Sequence, residues 1–343
     1  MTDTMPAPNA YATDPRAPAL TAFLAQAAPS LAKPPELASS DASARRYWRI
    51  TLPDHRTQIV MDAPPPGEAI APFLQVAERL EAAGVPVPQR GAVDLHNGFL
   101  LLEDLGDCTL FQWRHGHAVR AVEEKLAEAV RWLPVIAGAD TRNLPAFDAG
   151  RLNQEMDLFA DWYAAQPAIR TMTAADRAQW IAWRDRISAR LIEQPQVFVH
   201  RDYHSRNLMV HEHGGRLVTI DFQDAVKGPL AYDLVSLLRD SYIDWPEPLV
   251  ESMQAAFWDA LPPPLRAGQT LSGFRQDFAW VAVQRHLKVL GIFTRLSQRD
   301  GKHGYLKDIP LTWRHLQKAL AQLPELDAFA AWLADFAPKA ADE

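Results

Sequence analysis

Val199-His200-Arg201-Asp202-Tyr203-His204-Ser205-Arg206-Asn207-Leu208 and, a little downstream, Thr219-Ile220-Asp221-Phe222-Gln223-Asp224 decide how the rest of the chain reads. The first stretch is a polar loop, and the second is an apolar strand with a carboxylate at its end. Asp202 and Asn207 lie five residues apart, and Asp221 follows Asn207 by fourteen. Phosphoryl transfer requires groups at this kind of spacing: a carboxylate to orient and deprotonate a hydroxyl, then an amide and a second carboxylate for magnesium. Asp202 is therefore the candidate catalytic residue. It need not be a strong base, because the nucleophile of a loose phosphoryl-transfer transition state loses its proton late. Asn207 offers a neutral oxygen and Asp221 an anionic one, which suits magnesium. The alternation of His200, Asp202 and His204 also suits zinc. That reading needs further ligands, and His286 and His303 stand at no recognisable ligand spacing.

Upstream of the loop the pattern is rich in strands. Residues 1–14 are polar, carry proline and lack periodicity, so a loose tail is expected. A helix follows near Pro18–Ala28. Small polar residues from Ser39 to Ala44 then lead into the alternating Arg45–Ile50, a turn between strands that would lay backbone N–H groups over phosphates. Ser40, Ser43, Arg45 and Arg46 are its nucleotide-binding candidates, beside the alternative of an ordinary surface hairpin. Gln58–Met61 reads as a strand and Glu68–Ala83 as an amphipathic helix closed by Gly84. Strands are expected at Val85–Val93 and Gly98–Leu102.

After Thr109 the periodicity turns helical, through Val119–Ala137, Arg151–Ala165, Ala174–Glu193, Ala231–Tyr242, Leu249–Ala260, Phe274–Leu296, Leu311–Leu323 and Asp327–Phe336. The shift predicts an α+β, two-lobed chain: a sheet-plus-helix nucleotide-binding lobe over 15–105 and a mainly helical catalytic lobe over 106–343. Candidate acceptor-binding residues are Asp224, Glu155 on the helix through Asn153–Tyr163, and the i,i+3 pair Arg285 and Lys288. Each has a plainer alternative: a turn cap, an exposed helix acid and a salt bridge respectively.

The chain has 343 residues, 48% apolar and 22% charged, with a net charge of −7. That balance argues against a nucleic-acid partner. Cys108 is the single cysteine, so no internal disulfide forms. No secretory signal or membrane-length apolar run is read, and the cytoplasm is the expected location, with no protein partner implied.

His200-Arg201-Asp202 with Asn207, followed by Ile220-Asp221-Phe222, resembles the protein-kinase-like superfamily in its aminoglycoside- and choline-phosphotransferase branch. Longer strings are similar to the AmgK-type sugar kinases, which act on the anomeric hydroxyl of N-acetylmuramate and N-acetylglucosamine. These include Ser40–Tyr47, Val60–Pro65, Val199–Asn207, Ile220–Val226, Tyr232–Asp240 and Gln284–Gly291. The resemblance implies ATP and magnesium, an amino-sugar acceptor and a role in recycling cell-wall sugars. It also implies a catalytic Asp202, metal ligands Asn207 and Asp221, and an interlobe hinge at Glu103, Asp104 and Leu105 that meets adenine through backbone groups. One departure stands out. The strand that usually carries a phosphate-binding lysine reads Val60-Met61-Asp62, and Lys33 is the only lysine before the hinge. Arg45, Arg46 and Arg49 are the candidate replacements. Two alternatives remain open on the sequence: a phosphotransferase for another acceptor such as an aminoglycoside, and a nucleotide-binding module without catalysis.

Overall fold

The structure, a computed structural model, describes residues 11–40, 45–65, 70–166, 169–211 and 215–338. It divides into two compact units. The first comprises residues 1–81, 86–108 and 209–223. Its helix α1 (Ala17–Ala27) precedes three strands, β1 (Lys33–Ser40), β2 (Arg46–Thr51) and β3 (Thr57–Asp62). After these come α2 (Ile70–Ala82), β4 (Arg90–Asp94) and β5 (Phe99–Glu103). The strands form one antiparallel sheet in the order β1-β2-β3-β5-β4. Alternation along β2 and β3 sends Trp48, Ile50 and Val60 to one face, where they pack with Phe99, Leu101 and the α1 residues Leu20, Phe23 and Leu24.

Two sequence expectations need correction here. The strand expected from Val85 starts only at Arg90, because Pro86 and Pro88 supply no N–H to a ladder. The loose tail expected over 1–14 lies outside the described residues up to position 10. Tyr11, however, packs edge-on against Trp48 at 5.8 Å between ring centroids, and Asp14 accepts from Arg46.

The second unit comprises residues 82–85, 109–208 and 224–343. It begins with α3 (Leu110–Trp113), α4 (Val119–Ala137), α5 (Ala149–Leu158) and α6 (Ala174–Ile192). The strand β6 (Gln196–Val199) leads into the polar loop, which ends at β7 (Leu208–Val210). A hairpin joins β7 to β8 (Leu217–Thr219), and β9 (Val226–Pro229) returns to pair with β6. Helices α7 (Tyr232–Leu238), α8 (Glu247–Ala260), α9 (Pro263–Arg266), α10 (Leu271–Asp300), α11 (Ile309–Leu320) and α12 (Asp327–Leu333) complete the chain. The unit is organised around α10, which is buried over most of its length. At Gly291 a Cβ would lie 2.2 Å from the carbonyl carbon of Leu158, so only glycine lets α10 approach the end of α5. There α5 widens into a π turn, Phe159–Tyr163.

The hairpin residues 209–223, assigned by sequence to the helical lobe, belong to the first unit. Met209, Val218 and Ile220 pack on Leu105, and Phe222 meets Phe73 of α2 at 4.7 Å.

Candidate active site

In the second unit, the loop between β6 and β7 is tied by its own backbone. The N–H of His204 donates to the carbonyl of Asp202 at 3.0 Å, and that of Asn207 to the carbonyl of His204 at 2.9 Å. Asn207 Nδ2 donates to the Asp202 carbonyl at 3.0 Å, which fixes the amide and turns its oxygen branch away from that carbonyl. Beneath the loop lies Asp233, 5% exposed. Its two oxygens accept the N–H groups of His200 at 2.7 Å and Arg201 at 2.9 Å. Burial pushes the Asp233 carboxyl up to about 7, against those two hydrogen bonds.

The Asp202 side chain remains 36% exposed, with Oδ1 3.9 Å from Arg285 Nη1. Burial opposes its charge, but Lys288 and Arg285, followed by His204 and Arg201, outweigh that and hold the carboxyl below the ordinary range. An ionised carboxylate fixed on a short loop and open to solvent is equipped to accept a hydrogen bond from a hydroxyl.

The expected substrate residues divide. Asp224 is exposed, and its carbonyl accepts from Arg201 Nη1 at 3.4 Å. Glu155, Arg285 and Lys288 are all buried. The exposed helix acid that the sequence favoured at Glu155 is therefore a buried one. It accepts from Arg201, from Lys288 Nζ at 3.2 Å and from Gln284 Nε2 at 3.1 Å. The helix periodicity misled because α10 has no solvent face at this level.

In the first unit, Asp221 follows β8 with φ +62°, and Gln223 Nε2 donates to its Oδ1 at 2.9 Å. Arg45, 7% exposed, brings Nη2 to 3.8 Å from the same oxygen. The other two candidate cations go elsewhere. Arg49 is bound by Asp104 and Asp107. Arg46 lies opposite Asp62 in the β2–β3 register, on the face that packs against α1, and pairs with Asp14 and Asp62. In this arrangement its guanidinium joins β2 to those two carboxylates.

Asp62 itself is fully buried. Two residues from Val60, it points to the α1 face and accepts from Arg16 Nε at 2.7 Å, so Met61 is the residue that faces the opposite side. Sequence reading missed Arg16; an unpaired aspartate on an apolar strand was the available signal.

At the expected hinge, the Glu103 carboxylate accepts from Arg216 at 2.9 Å and the Gln89 N–H at 3.1 Å. Asp104 accepts from Arg49 and the Gly106 N–H, and Leu105 is buried. Ser40 ends β1 opposite Arg46. Ser43 lies outside the described residues.

Residues 36–267 match the model of the phosphotransferase enzyme family. The chain belongs to that family. Among curated relatives of this phosphotransferase, the N-acetylmuramate/N-acetylglucosamine kinase of Pseudomonas aeruginosa is 43% identical over 304 residues, 87% of each chain. The kinase of the same name from Neisseria meningitidis is 38% identical over 301 residues, 87% of this chain and 89% of that one. Two solved structures share its fold. A choline/ethanolamine kinase family protein from Mesorhizobium loti aligns with TM-score 0.61 at 14% identity, covering 93% of this chain and 98% of its own. A spectinomycin phosphotransferase in complex with ADP and its antibiotic aligns at 0.62 and 11%, covering 89% and 98%. The phosphotransferase therefore has the aminoglycoside phosphotransferase and choline kinase-like fold, with a five-stranded antiparallel sheet followed by a helical region.

The zinc alternative loses its ligands in this phosphotransferase. Both ring nitrogens of His286 face backbone carbonyls, of Ala282 and Arg239, and His303 Nδ1 meets Ser297 Oγ. Among the described residues no cluster of three or more His, Cys, Asp or Glu is arranged to hold a metal. For magnesium, the donor chemistry of Asn207 and Asp221 fits: one neutral amide oxygen and one carboxylate, both hard oxygen ligands. No helix among the described residues is long and apolar enough to cross a membrane.

Proposed function

We propose that this phosphotransferase uses ATP and magnesium to phosphorylate the anomeric C1 hydroxyl of N-acetylmuramate or N-acetylglucosamine, and that it serves the re-use of cell-wall sugars in the cytoplasm. The observation that carries this reading is the 43% identity, over 87% of both chains, to a kinase named for those two sugars. Asp202 accepts the hydrogen bond of the C1 hydroxyl and takes its proton late in the transfer. The hydroxyl oxygen forms its bond to the γ-phosphorus as the bond from phosphorus to the β,γ-bridging oxygen breaks, giving a sugar 1-phosphate and ADP. Asn207 and Asp221 would be the magnesium ligands, and the ion would neutralise phosphate charge. Arg45 is the cation closest to Asp221 among the three first-unit candidates and serves the phosphates. Backbone groups of Glu103–Leu105 meet adenine, and Asp224 reads a sugar hydroxyl.

Three cations around Asp202, the buried Arg285 and Lys288 and the partly buried Arg201, disfavour a polycationic aminoglycoside acceptor. The test is incubation of the purified protein with ATP, magnesium and each amino sugar, with the product's phosphate position read by NMR. A C1-phosphorylated sugar is expected. Turnover only with aminoglycosides, or tight ATP binding without transfer to any acceptor, rejects the proposal.

A further inference from the structure

Arg201, next to Asp202, has φ +77°, a conformation costly to a residue with a side chain. It is gripped from several sides. Asp233 takes its N–H from below. Its carbonyl accepts from Arg285 Nη1 at 3.4 Å and from Ser236 Oγ at 3.3 Å. Its guanidinium donates to Glu155, whose same oxygen meets Lys288 Nζ at 3.2 Å. Gln284, fully buried, donates to the other Glu155 oxygen at 3.1 Å. Arg285 also reaches from Arg201 toward the Asp202 carboxylate.

Such a cluster is a poor device for stability. Taking several charges out of water costs more than apolar packing of the same volume, so a buried ionic network is not explained by the energy of its ion pairs. What this one does accomplish is geometric. Asp233, Ser236, Arg285 and Glu155 end on the backbone or side chain of Arg201, Lys288 and Gln284 hold Glu155 in place, and α5 and α10 supply the rigid base.

We propose that Glu155, Lys288 and Arg285 are positioning residues for phosphoryl transfer, forming a buried clamp that fixes the strained backbone at Arg201 and through it the direction of the Asp202 carboxylate. This rests on the reading of Asp202 as the group that meets the acceptor hydroxyl. The clamp touches no substrate; it acts by holding one conformation of the loop.

The experiment uses the full chain and four variants: Glu155→Gln, Lys288→Met, the double variant of both, and Arg285→Lys. Each single variant is expected to lower kcat about 10- to 100-fold, with KM for ATP and for the sugar within about threefold of wild type. Arg285→Lys keeps the charge but loses the rigid planar guanidinium whose Nη1 faces both the Arg201 carbonyl and Asp202, so it stays impaired. The double variant removes a charge pair rather than breaking one, and its kcat should be no lower than that of the worse single variant. Amide exchange at His200 and Arg201 should quicken in the single variants, a readout that needs no acceptor. A raised KM for the sugar at unchanged kcat would make these residues substrate ligands and overturn the clamp. Unchanged kcat in the folded fraction, with only a lower melting point, would overturn it too. If the wild type phosphorylates no amino sugar, the substrate reading fails separately. In that case unaltered exchange at His200 and Arg201 still rejects the clamp, and faster exchange supports it.

Discussion

Arg16 Nε lies 2.7 Å from Asp62 Oδ1, and that carboxylate has no exposure to solvent. Arg46 closes the other side of the same group. The carboxylate at the end of β3 therefore ties the start of α1 to the sheet. Asp62→Ala removes the carboxylate that the two guanidinium groups share, leaving Arg46 with Asp14 and Arg16 with the Asn97 carbonyl, and should destabilise the protein by about 1–3 kcal/mol. Urea unfolding checks this, and ATP KM in the folded fraction should stay near that of the wild type.

Asp202→Asn keeps the shape of the loop while removing the proton acceptor. Turnover should fall by about 10²–10⁴, the span of general-base contributions. The thermal midpoint should hardly move, because the side chain is partly open to solvent. Initial rates and a melting curve on the same preparation separate the two effects.

Arg45 and Arg49 make a matched comparison. Arg45 is the one beside Asp221, whereas Arg49 is already neutralised by Asp104 and Asp107. Arg45→Met should raise KM for ATP–magnesium roughly tenfold, the loss of one charge-assisted contact. Arg49→Met should leave it within about twofold. Equal effects in a steady-state comparison would reject the assignment of Arg45 to the phosphates.

Glu247 predicts an acid-sensitive contact. Hydrogen bonds from Arg239, and after it Lys318, hold its carboxyl down to about 2 against partial burial. The ordinary value is 4.5, so the native state favours the ionised form. The resulting stability is fully present above about pH 4.5 and is lost as the pH falls toward 2. Glu247→Gln should flatten the decline of stability across that window and lower stability at neutral pH, where the ionised pair contributes in full. Chemical denaturation at several pH values reads the slope.

The parts of this molecule that were legible in the sequence are those where local pattern and tertiary demand agree. The helix Val119–Ala137 has the ends its sequence predicts, since its apolar stripe follows the helical period. β9 was not read, because Val226-Lys227-Gly228-Pro229 carries glycine and proline and becomes a strand only by pairing with β6. The i,i+3 spacing of Arg285 and Lys288 predicts a pair on one side of a helix. In α10 there is no outside at that level, and charged residues there are buried by pairing. Arg46 went astray for a related reason. One residue of strand register separates it from Arg45, and register sends the two to opposite faces.

The assignment of residues 209–223 to the first unit also has a consequence for how the chain is made. The segment ending at Cys108 leaves the ribosome without Met209, Val218 and Ile220, the partners of Leu105. At about 5–20 residues per second, those partners arrive roughly 5–25 s later. In the interval Leu105 lacks those apolar partners, while the helices α4, α5 and α6 are still being synthesised. The two units are therefore not made one after the other: the first to begin is completed in the middle of the second.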